Sequence, residues 1–218
     1  MSKKKKIILI IVAIILVFTI IEGLAYFIGF RTKAENTTLD GITSKINKLY
    51  SELNGKQKFS FTTTLNDQNK TYYAKKDNTA YLDSIYQGKQ TKFVIKDGNS
   101  YLLLDNQKVY YTYQNNETNL EKIIVQLEAI KDNQYVEGKE KIENKEYKYE
   151  EYEGVTGFLV KSVTATEEQT AKTRFYFDGD KLVYIKTIVG DYQELLKVDI
   201  SYSVEDKLFE IPSDYKEM

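Results

Sequence analysis

From residue 58 onward, apolar and polar side chains take turns with a period of two. Phe59, Phe61, Thr63 and Leu65 alternate with Lys58, Ser60, Thr62 and Thr64, and strand-like runs follow at 70–76, 79–85, 90–96, 100–104 and 108–113. Successive side chains of a strand point to opposite faces, so this spacing predicts half-buried strands. Asp77-Asn78, Gln87-Gly88, Asp97-Gly98-Asn99 and Asp105-Asn106 separate the runs. These are residues that fit tight hairpins, and the expected result is an antiparallel meander. Strand patterns resume at 135–142, 146–152, 173–177, 181–189 and 194–204, with Asp178-Gly179-Asp180 and Gly190-Asp191 as turns. Between them, Phe158, Leu159, Val160 and Val163 fit either a strand or a short helix, and 166–170 reads as an exposed loop.

Two stretches follow a different period. Leu39, Ile42, Ile46, Leu49 and Leu53 recur at spacings of three and four, the mark of an amphipathic helix, and Asn54-Gly55 ends it. A second helix is predicted over Glu117 to Lys131 through Leu120, Ile123, Ile124, Leu127 and Ile130, with Glu117 and Glu121 near the positive end of its dipole. Leu120, Ile123, Ile124 and Leu127 are expected to lie against the sheet. The class is α+β: an antiparallel half-barrel sheet with two or more packing helices, preceded by an N-terminal transmembrane helix.

That transmembrane helix is read from Ile7 to Phe30, apolar apart from Thr19 and Glu22. About 20 residues at 1.5 Å rise cross a hydrocarbon core of roughly 30 Å. Lys3 to Lys6 precede the run, so the positive-inside bias keeps the N-terminus in the cytoplasm and puts the rest outside the cell membrane. The expected organisation is a basic cytoplasmic segment at 1–6, a signal-anchor helix at 7–30, a linker at 31–38 and one extracytoplasmic domain at 39–218. The alternative is a cleaved signal peptide, which needs a shorter apolar core and a small-x-small site, where Thr32-Lys33-Ala34 puts Thr in place of Ala. Glu22 is an ionisable group in a span and hence a candidate for a partner contact. Phe18-Thr19-Ile20-Ile21-Glu22 has the form of a mature type IV pilin start, but Val17 stands where pilins need Gly.

Composition removes whole classes of chemistry. There is no Cys, His or Trp. Disulfides, thiolate nucleophiles, an acylated lipobox cysteine, Ser-His-Asp triads and the common zinc sites are therefore excluded. Lys3 to Lys6 and Arg31 belong to the anchor region, which leaves residues 32–218 mildly acidic in a chain of net charge −1. No basic stripe free of Glu or Asp appears there, which sets nucleic acid aside. Glu150, Glu151 and Glu153, with Asp178 and Asp180, are the acidic groups that could hold a divalent cation or act as an acid and base pair. EF-hand spacing is absent and Asp178-Gly179-Asp180 reads better as a turn, so no metal, no cofactor and no enzymatic role is expected. The 19 tyrosines fall largely on strands, where a ring packs while its hydroxyl stays wet; the other reading is a binding surface lined by aromatics. Abundant Lys, Asn, Ile and Tyr with one Pro suggest an AT-rich, Gram-positive source.

The order of helix, hairpins, central helix and closing hairpins resembles the LolA-like lipoprotein-carrier superfamily. The resemblance spans roughly 38–216 and rests on the helix-to-strand entry Leu49 to Leu65, the strand pair around Val94 to Tyr101, and the late pair Phe175 to Leu182. It implies an unclosed β-barrel covered by helices, whose concave face holds an acyl chain or a lipid-modified protein. By alternation, Phe59, Phe61, Phe93, Ile95, Tyr101 and Leu103 are expected on that inner face as ligand-binding residues. The expected function is a membrane-anchored binding protein for a lipid or lipidated partner. The alternative is an envelope adaptor that binds another cell-envelope or cell-wall protein through a sheet edge or the lid helix.

Overall fold

Two-residue turns set the architecture. At Gln87-Gly88 and Asp97-Gly98 both turn residues have positive φ, 50° and 74°, then 52° and 71°, the twist that returns a strand directly onto its neighbour. In the computed structural model, which describes residues 44–114, 122–155 and 170–218, such hairpins build one sheet. Its strands are β1 (Lys58–Asn66), β2 (Asn69–Lys76), β3 (Thr79–Tyr86), β4 (Lys89–Lys96), β5 (Asn99–Leu104), β6 (Val109–Gln114), β7 (Val136–Ile142), β8 (Lys145–Glu153), β9 (Lys172–Asp178), β10 (Lys181–Val189), β11 (Tyr192–Ser201) and β12 (Lys216–Glu217).

The order across the sheet is β12-β6-β5-β4-β3-β2-β1-β11-β10-β9-β8-β7. Two meanders, β1 to β6 and β7 to β11, are thus joined by β1 against β11, with Phe61 opposite Ile200 and Thr63 opposite Val198. The two edge strands, β7 and β12, do not pair with one another, so the sheet is unclosed. An unclosed, mainly antiparallel sheet is the coarse part of what the resemblance implied, and the expected strand runs match the observed strands closely.

Helix α1 (Lys45–Asn54) begins where the Ser44 side chain accepts the Asn47 N–H at 2.9 Å. Its apolar residues Ile46, Leu49 and Leu53 are buried against the sheet, as are Ile124, Leu127 and Ile130 of α2 (Lys122–Ile130). The first turn expected for α2, including Glu117, Leu120 and Glu121, lies outside the described residues, as do Leu39 and Ile42. Of the residues expected to face the sheet, Ile124 and Leu127 do so, at 2% and 0% exposure.

Both helices lie on one face. The other face, carrying Ala74, Tyr81, Val94 and Leu103, is covered by Val204, Phe209, Leu208, Ile211 and Tyr215 from the C-terminal segment. The strand expected to continue to Val204 ends at Ser201, whose Oγ accepts the Ser203 N–H at 3.1 Å and turns the chain. A 3-10 helix, Asp206–Phe209, and the parallel β12 follow, with Lys216 N–H donating to Lys108 O at 3.0 Å. Neither has a periodic signature, because segments this short present no repeating face. Among the described residues no helix is long and apolar enough to cross a membrane. Ile7 to Phe30, Glu22 and the 31–38 linker lie outside them.

Candidate functional site

Register decides which side chains share the helix-covered face. Phe59 stands opposite Lys75, Lys75 opposite Ala80 and Ala80 opposite Ile95, while Phe61, Tyr73, Leu82 and Phe93 form the next row. Directly opposed residues of an antiparallel sheet point to the same face. Phe59, Phe61, Phe93 and Ile95 are thereby brought together, at 0, 2, 3 and 9% exposure, in one core with α1 and α2.

Tyr101 and Leu103 are not part of this group. The two-residue turn at Asp97-Gly98 pairs Phe93 with Leu102 and Val94 with Tyr101, so Tyr101 and Leu103 project from the opposite face, beneath the C-terminal segment. Alternation inside one strand does not say which parity matches the neighbour. A two-residue turn makes odd positions on β4 share a face with even positions on β5. Counting outward from Asp97-Gly98 would have chosen Leu102, which is 2% exposed in the helix-covered core. That face continues across β11, β10, β9 and β8 through Val198, Leu196, Ile185, Phe175 and Tyr152.

A buried carboxylate holds α1 on this face. Glu150, 3% exposed on β8, accepts the backbone N–H of Lys45 at 2.5 Å and of Ile46 at 3.2 Å, and the Tyr152 hydroxyl at 3.0 Å. It thus satisfies donors that the first turn of a helix leaves without partners. Burial, followed by the charge of Glu150, pushes the Tyr152 hydroxyl well above the usual phenol range, which keeps it protonated and donating. Lys45 Nζ reaches Gly179 O and Asp180 Oδ1, and lies 5.4 Å from the Phe177 ring centre. Ser44 Oγ and Asn47 Nδ2 both donate to Lys131 O at the end of α2, each at 3.4 Å. Beside Lys45 is a cavity of about 310 Å³ lined by Lys45, Glu137, Gly138, Lys139, Lys148, Tyr149, Glu150 and Phe177. Five of its eight lining residues carry charge, while Tyr149 and Phe177 add apolar surface.

The remaining acidic candidates are each tied to a cation. Glu151 accepts from Arg174 Nε at 2.6 Å and meets Lys172 at 3.4 Å; Glu153 meets the same Lys172 at 3.5 Å. Glu151 and Glu153 therefore project together, and Glu150 goes to the other face, as a period of two requires. Asp178 pairs with Lys145 at 2.5 Å and Asp180 with Lys45 at 3.1 Å.

The outer face of β7 to β10 carries a hub that sequence reading missed. Glu140 accepts from Tyr176 Oη at 2.6 Å, Arg174 Nη1 at 2.7 Å and Lys186 Nζ at 2.7 Å. Burial works to raise its pKa, but the three donors outweigh it and hold the carboxyl at about 2. Arg174 also lies 4.6 Å from the Tyr149 ring centre, and Tyr149 packs against Tyr176 at 5.4 Å. Glu140 and its three donors come from three strands, β7, β9 and β10, so no local spacing announces them.

No protein-family model matches the sequence, and no curated protein matches it. Solved structures similar to this chain include LprF from Mycobacterium bovis, 10% identical over 80% of this chain and 100% of LprF, with a TM-score of 0.44. An uncharacterized conserved protein from Thermus thermophilus is 8% identical over 79% of this chain and 96% of its own, with a TM-score of 0.42. The Mycobacterium tuberculosis lipoprotein LppX is 15% identical over 74% of this chain and 95% of LppX, with a TM-score of 0.43.

Proposed function

We propose that this chain is a non-enzymatic binding protein of the cell envelope, anchored through Ile7 to Phe30, that holds a lipid or a lipidated partner between its sheet and its helices. One observation carries the reading. A continuous apolar face, from Leu102 on β5 to Tyr152 on β8, is covered among the described helices only by α1 of 10 residues and α2 of 9. A sheet that packs on short helices exchanges one apolar cover for another at little net cost, because an acyl chain restores the burial that a displaced helix gives up. Each methylene taken out of water there contributes about 0.8 kcal/mol before ordering costs.

A second reading, an adaptor for another envelope protein, is favoured by a different observation. The side chains of the apolar face are already packed, Phe59 at 0% and Phe93 at 3% exposure. Titration of cis-parinaric acid into the full chain held in amphipol separates the two. Saturable fluorescence, weakened by Leu82→Asn on the helix-covered face and unchanged by Tyr72→Ser on the other, supports the ligand reading. Absence of saturable binding below the aggregation limit of the probe leaves the adaptor as the function.

A further inference from the structure

The outer edge of the sheet is a self-complementary strand, and we propose that two copies of this chain join β7 to β7 about a two-fold axis. Among the described residues β7 pairs with β8 alone, Ile142 opposite Lys145 across a two-residue turn at Glu143 and Asn144. The residues that flank such a turn exchange both backbone hydrogen bonds, and the pattern then alternates along the strand. Val136, Gly138, Glu140 and Ile142 thus direct their backbone groups to β8. Glu137, Lys139 and Lys141 direct theirs outward, away from the sheet. These three side chains are exposed and Val136 is 64% exposed, so no described residue covers the edge.

Edge strands are ordinarily guarded by charges that would meet their like in an added strand. Here the charges are arranged so that a second copy answers them. With antiparallel β7 strands centred on Lys139, the full length of the strand overlaps and Glu137 of each copy stands opposite Lys141 of the other. Glu137 and Lys141 have no ion-pair partner among the described residues, while Lys139 already meets Glu146 of its own hairpin at 3.3 Å. Lys139 faces itself at the axis, with Glu137 of both copies on its diagonals. On the other face, Val136 meets Ile142 of the second copy. A contact in which one patch serves both partners closes as a dimer and does not propagate. Glu137 and Lys139 also line the cavity beside Lys45, so the two cavities of the dimer would flank the axis.

The absence of Cys allows a register-specific test on the full chain. Hydrogen-bonded residues opposed across an antiparallel pair have Cα atoms about 5.5 Å apart, within disulfide reach. Lys139→Cys is therefore expected to give a disulfide-linked dimer under mild oxidation. Val136→Cys is not, because the two positions 136 would lie roughly 20 Å apart at about 3.3 Å per residue. By native mass spectrometry, Lys141→Glu should weaken the dimer at least tenfold, and Glu137→Lys with Lys141→Glu should restore it. A chain that is monomeric at every concentration, equal cross-linking at 139 and 136, or failure of the double reversal to restore the dimer overturns the proposal.

Discussion

Glu140 shows how a single carboxylate can set the acid stability of the outer face. Its folded pKa of about 2 is below its ordinary value of 4.5. The folded state therefore binds fewer protons than the unfolded one in that interval. The stability it contributes is complete above about pH 4.5 and is lost as pH falls toward 2. Allowing for solvent screening of a partly exposed site, the contribution is on the order of 1–2 kcal/mol. Urea melts of Glu140→Gln should show a lower midpoint at neutral pH and a smaller change in midpoint between pH 4.5 and 2 than the parent. Gly138 makes a second residue-scale case. A Cβ there would stand 2.3 Å from Tyr149 Cζ. The ring cannot swing away without leaving both Arg174 and Tyr176. Gly138→Ala is expected to lower Tm by several degrees, for a cost of about 1–3 kcal/mol.

At the scale of elements, each helix is held by a different kind of interaction. α2 rests on apolar burial: Ile124, 2% exposed, meets the sheet, so Ile124→Asp buries an unpaired charge and should destabilise by several kcal/mol. An unchanged thermal midpoint would reject that placement. α1 adds a polar tie. Glu150→Ala strips the Lys45 and Ile46 N–H groups and the Tyr152 hydroxyl of their acceptor together. Amide exchange should then accelerate within Lys45–Asn54 by more than in β1 to β5. Uniform change across the domain would mean that the carboxylate serves global stability instead of holding this helix. The C-terminal segment is a third kind of cover, a 3-10 turn and a two-residue strand whose value lies in Phe209 and Val204, buried over Ala74 and Tyr81.

For the whole molecule, the pairing of β1 with β11 matters most, since these two strands, far apart in sequence, join the two meanders into one surface. Closing so long a loop costs chain entropy that local hairpins do not. The expected topology is tested separately: protease added to cells whose wall has been opened should digest residues beyond about 31, and survival of an intact domain within the cytoplasm would contradict the orientation.

Hairpins and helices were legible in the chain because their signals are local. A period of two against a period of 3.6, and turns such as Asp97-Gly98, report the conformation of residues only a few positions apart. The faces were legible in part: Phe59, Phe61, Phe93 and Ile95 group together as alternation suggests, and Tyr101 and Leu103 do not, since face matching across a hairpin depends on turn length and on bulges such as the shift between Thr64 and Asn66. The pairing of β1 with β11, the Glu150 tie to α1, the Glu140 hub and the edge at β7 were decided only in three dimensions. Each depends on residues brought together from distant parts of the chain by burial and backbone pairing, and neither force leaves a spacing in the sequence that names the partner.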